Sequence, residues 1–261
     1  MSTTTTLPCA DDIGLERVRF FPRQLIAADD LNQEQTYHRQ RLRNHNRFLH
    51  GWGVVCGCDV QPTNDTTKRW QVRVCPGYVL TPQGDEVFIP TEALFDVATC
   101  ITQSSDPCAF SRPCPPVGLK AKATQTLYLA VRYVECQARP VRVAPAGCGC
   151  DDADCEYSRI RDGYEFCCLA ALPASHKEAP LDCDQLCKPT SVFPCPDCPD
   201  DGWVVLATLT VPELSTTQLT DVDPLADRHL LYSTAMIQQL SLCTCRAAAP
   251  SFVAVERGVK G

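Results

Sequence analysis

The sequence predicts an α+β fold that is mostly β, and three features of the 261-residue chain lead to this prediction. A helical pattern with start and stop signals covers residues 29–50 and predicts a long N-terminal helix. Short apolar runs separated by Pro and Gly follow it, which is typical of short antiparallel strands. Residues 137–202 are interrupted by Cys, Pro, Gly and Asp, which indicates a cysteine-rich irregular insertion ahead of a C-terminal helix.

The long helix is predicted to begin near Asp29 and to end at Gly51. Asp29 or Asp30 can cap it, and its acidic residues precede its arginines, an order that complements the helix dipole. One stripe at helical spacing is half apolar and half polar; it consists of Leu31, Gln35, His38, Leu42, His45 and Leu49. A second stripe consists of Arg39, Arg43 and Arg47. A solvated charged face is the ordinary explanation of such a stripe, and an Arg-rich subunit interface is the alternative.

The β-structure is predicted in two groups of strands, the first of which surrounds a turn at 82–85. The expected strands are 52–60, 70–75, 78–80, 86–89, 126–134, 164–169 and 203–211, and the final helix is expected over 227–242. The expected domains are a flexible lead over 1–14, a helix with a small β domain (an assembly module) over 15–99, a second β-containing domain over 100–246 that carries the insertion 137–202, and an exposed tail over 247–261.

Charge and hydropathy argue against several classes of protein. The chain has 24 Lys and Arg against 31 Asp and Glu, a net charge of −7, which makes it a poor candidate for binding nucleic acid. No apolar run reaches the ~18–20 residues of a membrane-spanning helix. No secretory signal is recognised, so synthesis in the cytoplasm is expected. Residues 148–202 carry twelve acidic and four basic residues, whereas 15–50 carry seven basic and four acidic ones.

Nineteen cysteines in a chain made in a reducing compartment favour metal-bound thiolates over disulfides. The best candidate for a structural zinc site is the set Cys183, Cys187, Cys195 and Cys198, which offers four soft ligands within sixteen residues. A weaker set is Cys148, Cys150 and Cys155, with Cys167 or Cys168 as the fourth ligand. Buried thiols or disulfides are the alternative for both sets.

The motifs of the common enzyme classes are absent from the sequence. It contains no nucleotide-binding glycine loop, no nucleophile-elbow serine and no H-E-x-x-H zinc motif. His38 and His45 lie seven residues apart, whereas metal-binding pairs on helices usually lie four apart, so hydrogen-bonded interface histidines are the favoured interpretation. The sequence therefore predicts a protein that is not an enzyme.

Four segments between residues 17 and 90 carry a family resemblance. They read R-V-R-F-F-P-R-Q-L (17–25), A-D-D-L-N-Q-E-Q (28–35), Y-H-R-Q-R-L-R-N-H-N-R-F-L-H-G-W-G-V-V-C-G (37–57) and V-C-P-G-Y-V-L-T-P-Q-G-D-E-V-F-I-P (74–90). The chain thus resembles uncharacterised proteins of gene clusters for contractile injection systems, and more loosely the N-terminal regions of phage baseplate and tail-appendage proteins. Two shorter similarities are Y-S-R at 157–159 with Tyr164, and R-H-L-L-Y-S at 228–233.

The resemblance implies a non-enzymatic structural subunit of a phage-tail-like particle, at the baseplate periphery, in a cage or in the fibre-attachment layer. Its expected partners are other subunits of the contractile tail or baseplate and further copies of itself, as a trimer or a six-fold ring. The residues expected at the assembly interface are His38, Arg39, Arg43, His45, Arg47, His50 and Trp52. The alternatives are a zinc-stabilised module that binds a receptor or carbohydrate, and an enzyme that acts through Cys or zinc.

Overall fold

A computed structural model describes residues 15–63, 65–100, 124–142, 155–177, 195, 197–212 and 217–247. The chain divides into two compact units, Met1–Leu231 and Tyr232–Gly261. The predicted lead 1–14 and the tail beyond residue 247 lie outside the described residues, and the predicted boundary between residues 99 and 100 stays a prediction. No helix in the described part of the chain combines the length and the hydropathy needed to cross a membrane.

The described elements are mostly strands with one helix near each end, which confirms the predicted fold class. The first unit contains α1 Ala28–His45, β1 Gly53–Gly57, β2 Val60–Pro62, β3 Gln71–Val74, β4 Gly77–Leu80, β5 Glu86–Ile89, β6 Ala93–Asp96, β7 Gln125–Arg142, β8 Cys155–Leu169, β9 Val204–Val211 and β10 Asp221–Asp223. Short 3₁₀ helices cover Val97–Cys100 and Ala174–Lys177. The second unit contains α2 Thr234–Ala247.

The strands form three antiparallel sheets, in the orders β1-β4-β5, β2-β3-β6 and β10-β9-β7-β8. One bent ribbon joins the first two sheets, because the register of β1 with β4 (Gly57 opposite Gly77) continues into that of β2 with β3 (Val60 opposite Val74). Cys58 donates its N–H to the carbonyl of Pro76 at 3.1 Å within the bend. Gly57 and Cys58 both have positive φ there, which lets the chain change sheets without losing its pairing.

The core draws side chains from all three sheets. Strand β9 is buried on both faces, which is why its sequence is an almost continuous apolar run. The largest buried side chains are Ile89, Leu127, Leu129, Leu206, Leu209 and Leu219, with Val54, Val60, Val72, Val74, Val79 and Val87. The interior therefore consists mainly of Leu and Val from β1, β2, β3, β4, β5, β7 and β9.

Two helix starts differ from the sequence predictions. The residue that caps α1 is Ala27, and Asp30 lies inside the first turn, where its carboxylate accepts the Ala27 N–H at 2.9 Å. The C-terminal helix begins at Thr234 rather than at residue 227, because residues 228–231 extend beside β1 instead. Ser233 ends this extended stretch and accepts the N–H of Met236 at 3.3 Å, as a helix-capping serine does.

Strands β7 and β8 extend well beyond the apolar runs that predicted them. Their register is continuous from Tyr128 opposite Leu169 to Arg142 opposite Cys155. The first half of the pair is apolar because β9 covers β7 there, from Gln125 to Val131. Beyond β9 the two strands continue as a mostly polar, largely exposed ribbon. Backbone pairing rather than burial therefore maintains the outer half, and apolar alternation does not predict it.

Candidate assembly surface

Helix α1 is anchored to its own β-structure by polar contacts on one face. Arg43 Nε donates to Asp85 Oδ1 at 2.6 Å, and Asn46 Nδ2 donates to the carbonyl of Gly84 at 3.0 Å. Burial raises the pKa of the Asp85 carboxyl, and the adjacent Arg43 opposes that rise. Arg39 forms an ion pair with Glu135 of β7. The helix is thereby held against the β4–β5 turn and the β7–β8 pair.

These contacts use two of the three arginines expected at the assembly interface. Arg39 and Arg43 each bind a carboxylate of the same chain, although the side chain of Arg39 stays partly exposed. Arg47 lies over the ring of Phe48, with its guanidinium carbon 4.3 Å from the ring centre. Arg39 and Arg43 thus anchor the helix to its own chain. Any further role between subunits stays a prediction.

The histidines of the predicted interface lie on the exposed side of the helix. His38 Nε2 lies 3.1 Å from Glu34 Oε1, one turn away. Residues 46–50 form a π-helical turn that brings His45 and His50 together, with their Nε2 atoms 3.3 Å apart. The helix then ends at Gly51, whose φ of 80° confirms the predicted stop.

The apolar members of the half-polar stripe face solvent. We call Leu31, Leu42 and Leu49 the outer face of α1; all three are exposed, Leu49 by 70%. The segment ahead of the helix, residues 15–27, contains a turn at residues 22–23 and no helix or strand; it is nearly all exposed, and we call it the arm. Its Leu25 is 93% and its Phe21 59% exposed. A surface of this kind is the usual mark of a protein interaction site.

Trp52 lies in an aromatic cluster within the chain. Its ring stacks on His229 at 4.0 Å and contacts His176 at 4.5 Å between ring centres. His229 Nδ1 lies 2.8 Å from the Trp52 carbonyl, and Val205 donates its N–H to His176 Nε2 at 3.1 Å. The ring therefore joins β1, β9 and the 228–231 segment. Trp52 stays partly exposed, and its role at an intersubunit interface stays a prediction.

Arg228 ties the same segment to the bend of the ribbon. Its guanidinium donates to the carbonyls of Gly57 and Cys58, the latter at 3.1 Å. Next to it, Val54 donates its N–H to the His229 carbonyl at 2.8 Å, and Leu231 donates to Val54 at 3.0 Å. Sequence reasoning assigned no role to His176, Arg228 or His229. The R-H-L-L-Y-S similarity was the signal that pointed to the last two.

The environment of His176 predicts a pH dependence of stability. Burial, together with the nearby His229, lowers the pKa of His176 to about 4, and Asp227 opposes this shift. The folded state therefore favours neutral His176, and this stabilisation is complete above pH ~6.5 and is lost as the pH falls toward 4. Urea midpoints measured at intervals from pH 7.5 to 4.5 should fall for the native chain. They should fall less for His176→Gln, and equal slopes for the two proteins would contradict this assignment.

A cleft of about 620 Å³ lies beside the anchored face of α1. Its walls come from α1, from β4 and β5, and from the middle of the β7–β8 ribbon. Tyr133 donates its hydroxyl to Asp162 Oδ1 at 2.6 Å in one wall, and burial together with Asp162 raises the pKa of this tyrosine. The lining includes the rings of Tyr78, Phe88, Tyr133 and Tyr164, the apolar Leu42 and Pro90, and the charged Arg39, Arg43, Asp85, Glu86 and Asp162.

Zinc stays a prediction. Cys183, Cys187, Cys148 and Cys150 lie outside the described residues, as does the side chain of Cys155. Cys198 is disulfide-bonded, and a zinc ligand must be a thiolate, so the first set requires that bond to be reduced. Cys195 is an exposed free thiol, and Cys168 is buried with its N–H 3.3 Å from Cys100 Sγ. The described side chains form no cluster of three or more metal-ligating groups.

Comparison with known proteins gives weak fold likenesses. No protein-family model matches the sequence, and no curated protein is significantly similar to it. Among solved structures, a crystal structure of TssK has a TM-score of 0.36 and 11% identity, over 80% of this chain and 41% of that one. A chain of the TssK-TssF-TssG baseplate subcomplex of the type VI secretion system gives 0.34 and 9%, over 75% and 56%.

A chain of the baseplate complex from the type VI secretion system gives a TM-score of 0.33 and 10% identity, over 75% of this chain and 54% of that one. The chain thus spans about half the length of the solved chains it matches. These TM-scores are low, so the likenesses establish neither a family nor a function.

Proposed function

We propose that this chain is a non-enzymatic structural subunit of a phage-tail-like contractile injection particle, made in the cytoplasm and assembled into the baseplate. The observation that carries the proposal is the apolar surface formed by the arm and by the outer face of α1. Part of this surface lies on a helix that Arg43 and Asn46 anchor to the β4–β5 turn of the same chain. An anchored helix that exposes leucines to solvent is more typical of a subunit of an assembly than of a soluble monomer.

The arrangement of the resembling segments supports the same proposal. The end of α1 (37–57) packs on the turn of the 74–90 segment through Asn46 and Gly84. The 228–233 segment pairs with β1 through Val54. Three of the segments that carry the resemblance therefore contact one another: 37–57 contacts both 74–90 and residues 228–231.

The finer proposal concerns position and symmetry. The subunit belongs at the baseplate periphery, in a cage or in the fibre-attachment layer, and it repeats as a trimer or a six-fold ring. The outer face of α1, with His38, His45 and His50 beside it, makes the intersubunit contact. The basic 15–50 segment and the acidic 148–202 segment of neighbouring subunits attract each other across it.

Co-sedimentation tests this proposal. Gently lysed source cells are centrifuged to pellet megadalton assemblies, and the pelleted proteins are identified by mass spectrometry. The chain should pellet together with sheath and tube proteins, and it should leave the pellet in cells that lack the tube protein. If the chain stays soluble while sheath and tube pellet, the structural-subunit proposal is wrong.

A further inference from the structure

We propose that the arm of one copy inserts its aromatic and aliphatic side chains into the cleft beside α1 of a second copy. This inference rests on the structural role proposed above and specifies the partner of the arm. It combines two features of the same chain: an apolar segment that the chain does not bury, and an aromatic cleft that lies beside α1.

The arm is shaped in advance for such a contact. Gln24 donates its N–H to the Phe21 carbonyl at 3.2 Å, and Phe21 donates its own N–H to Gln24 Oε1 at 3.1 Å. Arg23 completes this turn with a φ of 70°, an uncommon conformation for a residue with a side chain. A closed turn that projects Phe20 and Phe21 into solvent reduces the entropy lost when the arm docks.

The cleft has the size and lining of a receptor for apolar side chains. Its volume of about 620 Å³ lies within the ~300–1,000 Å³ of typical ligand sites. Phe88 of β5 is 64% exposed at its edge, and Tyr78 lies beside it with ring centres 6.4 Å apart. Tyr and Arg, which both line the cleft, are among the residues enriched at binding hot spots.

The charges of the two surfaces are complementary. The arm carries Arg17, Arg19 and Arg23 against the single acidic residue Glu16. The cleft is lined by the carboxylates of Asp85, Glu86 and Asp162 and by two arginines, both of which already pair with carboxylates: Arg39 with Glu135 and Arg43 with Asp85. A basic arm is therefore drawn toward a cleft whose balance is acidic.

The position of the arm favours a second copy over the same chain. The arm joins the helix at Ala28, whereas Arg39 and Arg43 line the cleft about 17–23 Å further along the helix, at 1.5 Å per residue. The described arm residues do not line the cleft of their own chain. An arm-to-cleft contact uses two different surfaces, so it repeats head to tail, which is the kind of contact that a trimer or a six-fold ring is built from.

Sedimentation of the purified full-length chain tests this inference. The first variant carries Phe20→Ser, Phe21→Ser and Leu25→Ser in the arm, and the second carries Phe88→Arg in the cleft. All four side chains are exposed, so both variants should fold with the urea midpoint of the native chain. The native chain should associate, and each variant should do so at least about tenfold more weakly. Ile160→Ser, an exposed apolar position outside both surfaces, is the control and should associate normally.

An equimolar mixture of the two variants identifies the contact. The arm variant keeps an intact cleft and the cleft variant keeps an intact arm, so the mixture should form a 1:1 heterodimer that grows no further. Two variants that stay monomeric when mixed would indicate a contact between like surfaces and overturn the inference. A native chain that is monomeric at every concentration, or an arm variant that associates normally, also overturns it. These readouts need no particle, so they can fail while co-sedimentation with sheath succeeds.

Discussion

Replacing Gly84 with alanine should destabilise the protein by about 2–4 kcal/mol and release α1 from the β4–β5 turn. Gly84 has a φ of 89°, which an L side chain rarely adopts. An added Cβ would lie 2.9 Å from the carbonyl carbon of Arg43 and closer still to its oxygen. Backbone cannot move aside as a flexible side chain can, so either the helix or the turn must shift.

Urea denaturation of Gly84→Ala measures this effect, and Gly163→Ala is the matched control. A Cβ on Gly163 would lie 3.4 Å from Cys136 Sγ, an ordinary contact, and the φ of Gly163 is not positive. The control should change stability by less than ~1 kcal/mol. Equal midpoints for the two alanine variants would show that α1 does not approach the turn as closely as described.

Replacing Arg228 with alanine should destabilise the protein by about 2–3 kcal/mol. The guanidinium donates to the carbonyls of Gly57, Cys58 and Pro224, the last at 3.4 Å, and thereby ties the 228–231 segment to the bend between two sheets. Removing it leaves these carbonyls without their charged donor. The fluorescence of Trp52 should also change, since His229 stacks on that ring and belongs to the released segment.

The control for this variant is Arg159→Ala. Arg159 is exposed, and its guanidinium donates to the adjacent Ser158 carbonyl at 2.7 Å, so its loss should alter stability by less than ~0.5 kcal/mol. Arg228→Lys should recover part of the lost stability, because an ammonium group still donates but lacks the planar fork that reaches several carbonyls. If both alanine variants have the same midpoint, Arg228 does not stabilise the bend.

Local signals predicted the parts of the fold that neighbouring residues determine. The helix ends at Gly51, as predicted. The glycine-containing turn at 82–85 joins β4 to β5, and β5 has its predicted bounds, Glu86–Ile89. The start of α2 differs from the prediction because Ser233 caps the helix, and no change in the apolar pattern around Ser233 marks that position. The polar ribbon of β7 and β8 was missed because it lacks apolar alternation.

The sequence predicts two stripes on α1 but not which of them contacts the rest of the chain. The sequence places the arginines and the leucines of α1 on separate stripes, yet which stripe faces the protein depends on carboxylates far along the chain. Asp85 lies 42 residues from Arg43, and Glu135 is further still from Arg39. Spacing within a helix carries no information about such partners. The structure shows that Arg39 and Arg43 anchor the helix and that Leu31 and Leu49 face solvent.

This orientation determines which variants test assembly cleanly. Reversing the charges of Arg39, Arg43 and Arg47 would block assembly under the interface hypothesis. It would also break ion pairs within the chain, with the partly buried Asp85 carboxylate left without its arginine. Loss of particles from such a variant would therefore not separate a folding defect from an assembly defect. Leu31 and Leu49 avoid this problem because both are exposed.

Incorporation of a Leu31→Asp, Leu49→Asp variant into particles tests the central claim most directly. The purified variant should keep the urea midpoint of the native chain within ~0.5 kcal/mol, because neither leucine is buried. In cells it should vanish from the sheath-containing pellet, whereas Ile160→Ser should pellet as the native chain does. A stably folded double variant that pellets with sheath and tube at the native level would show that the outer face of α1 is not an assembly surface.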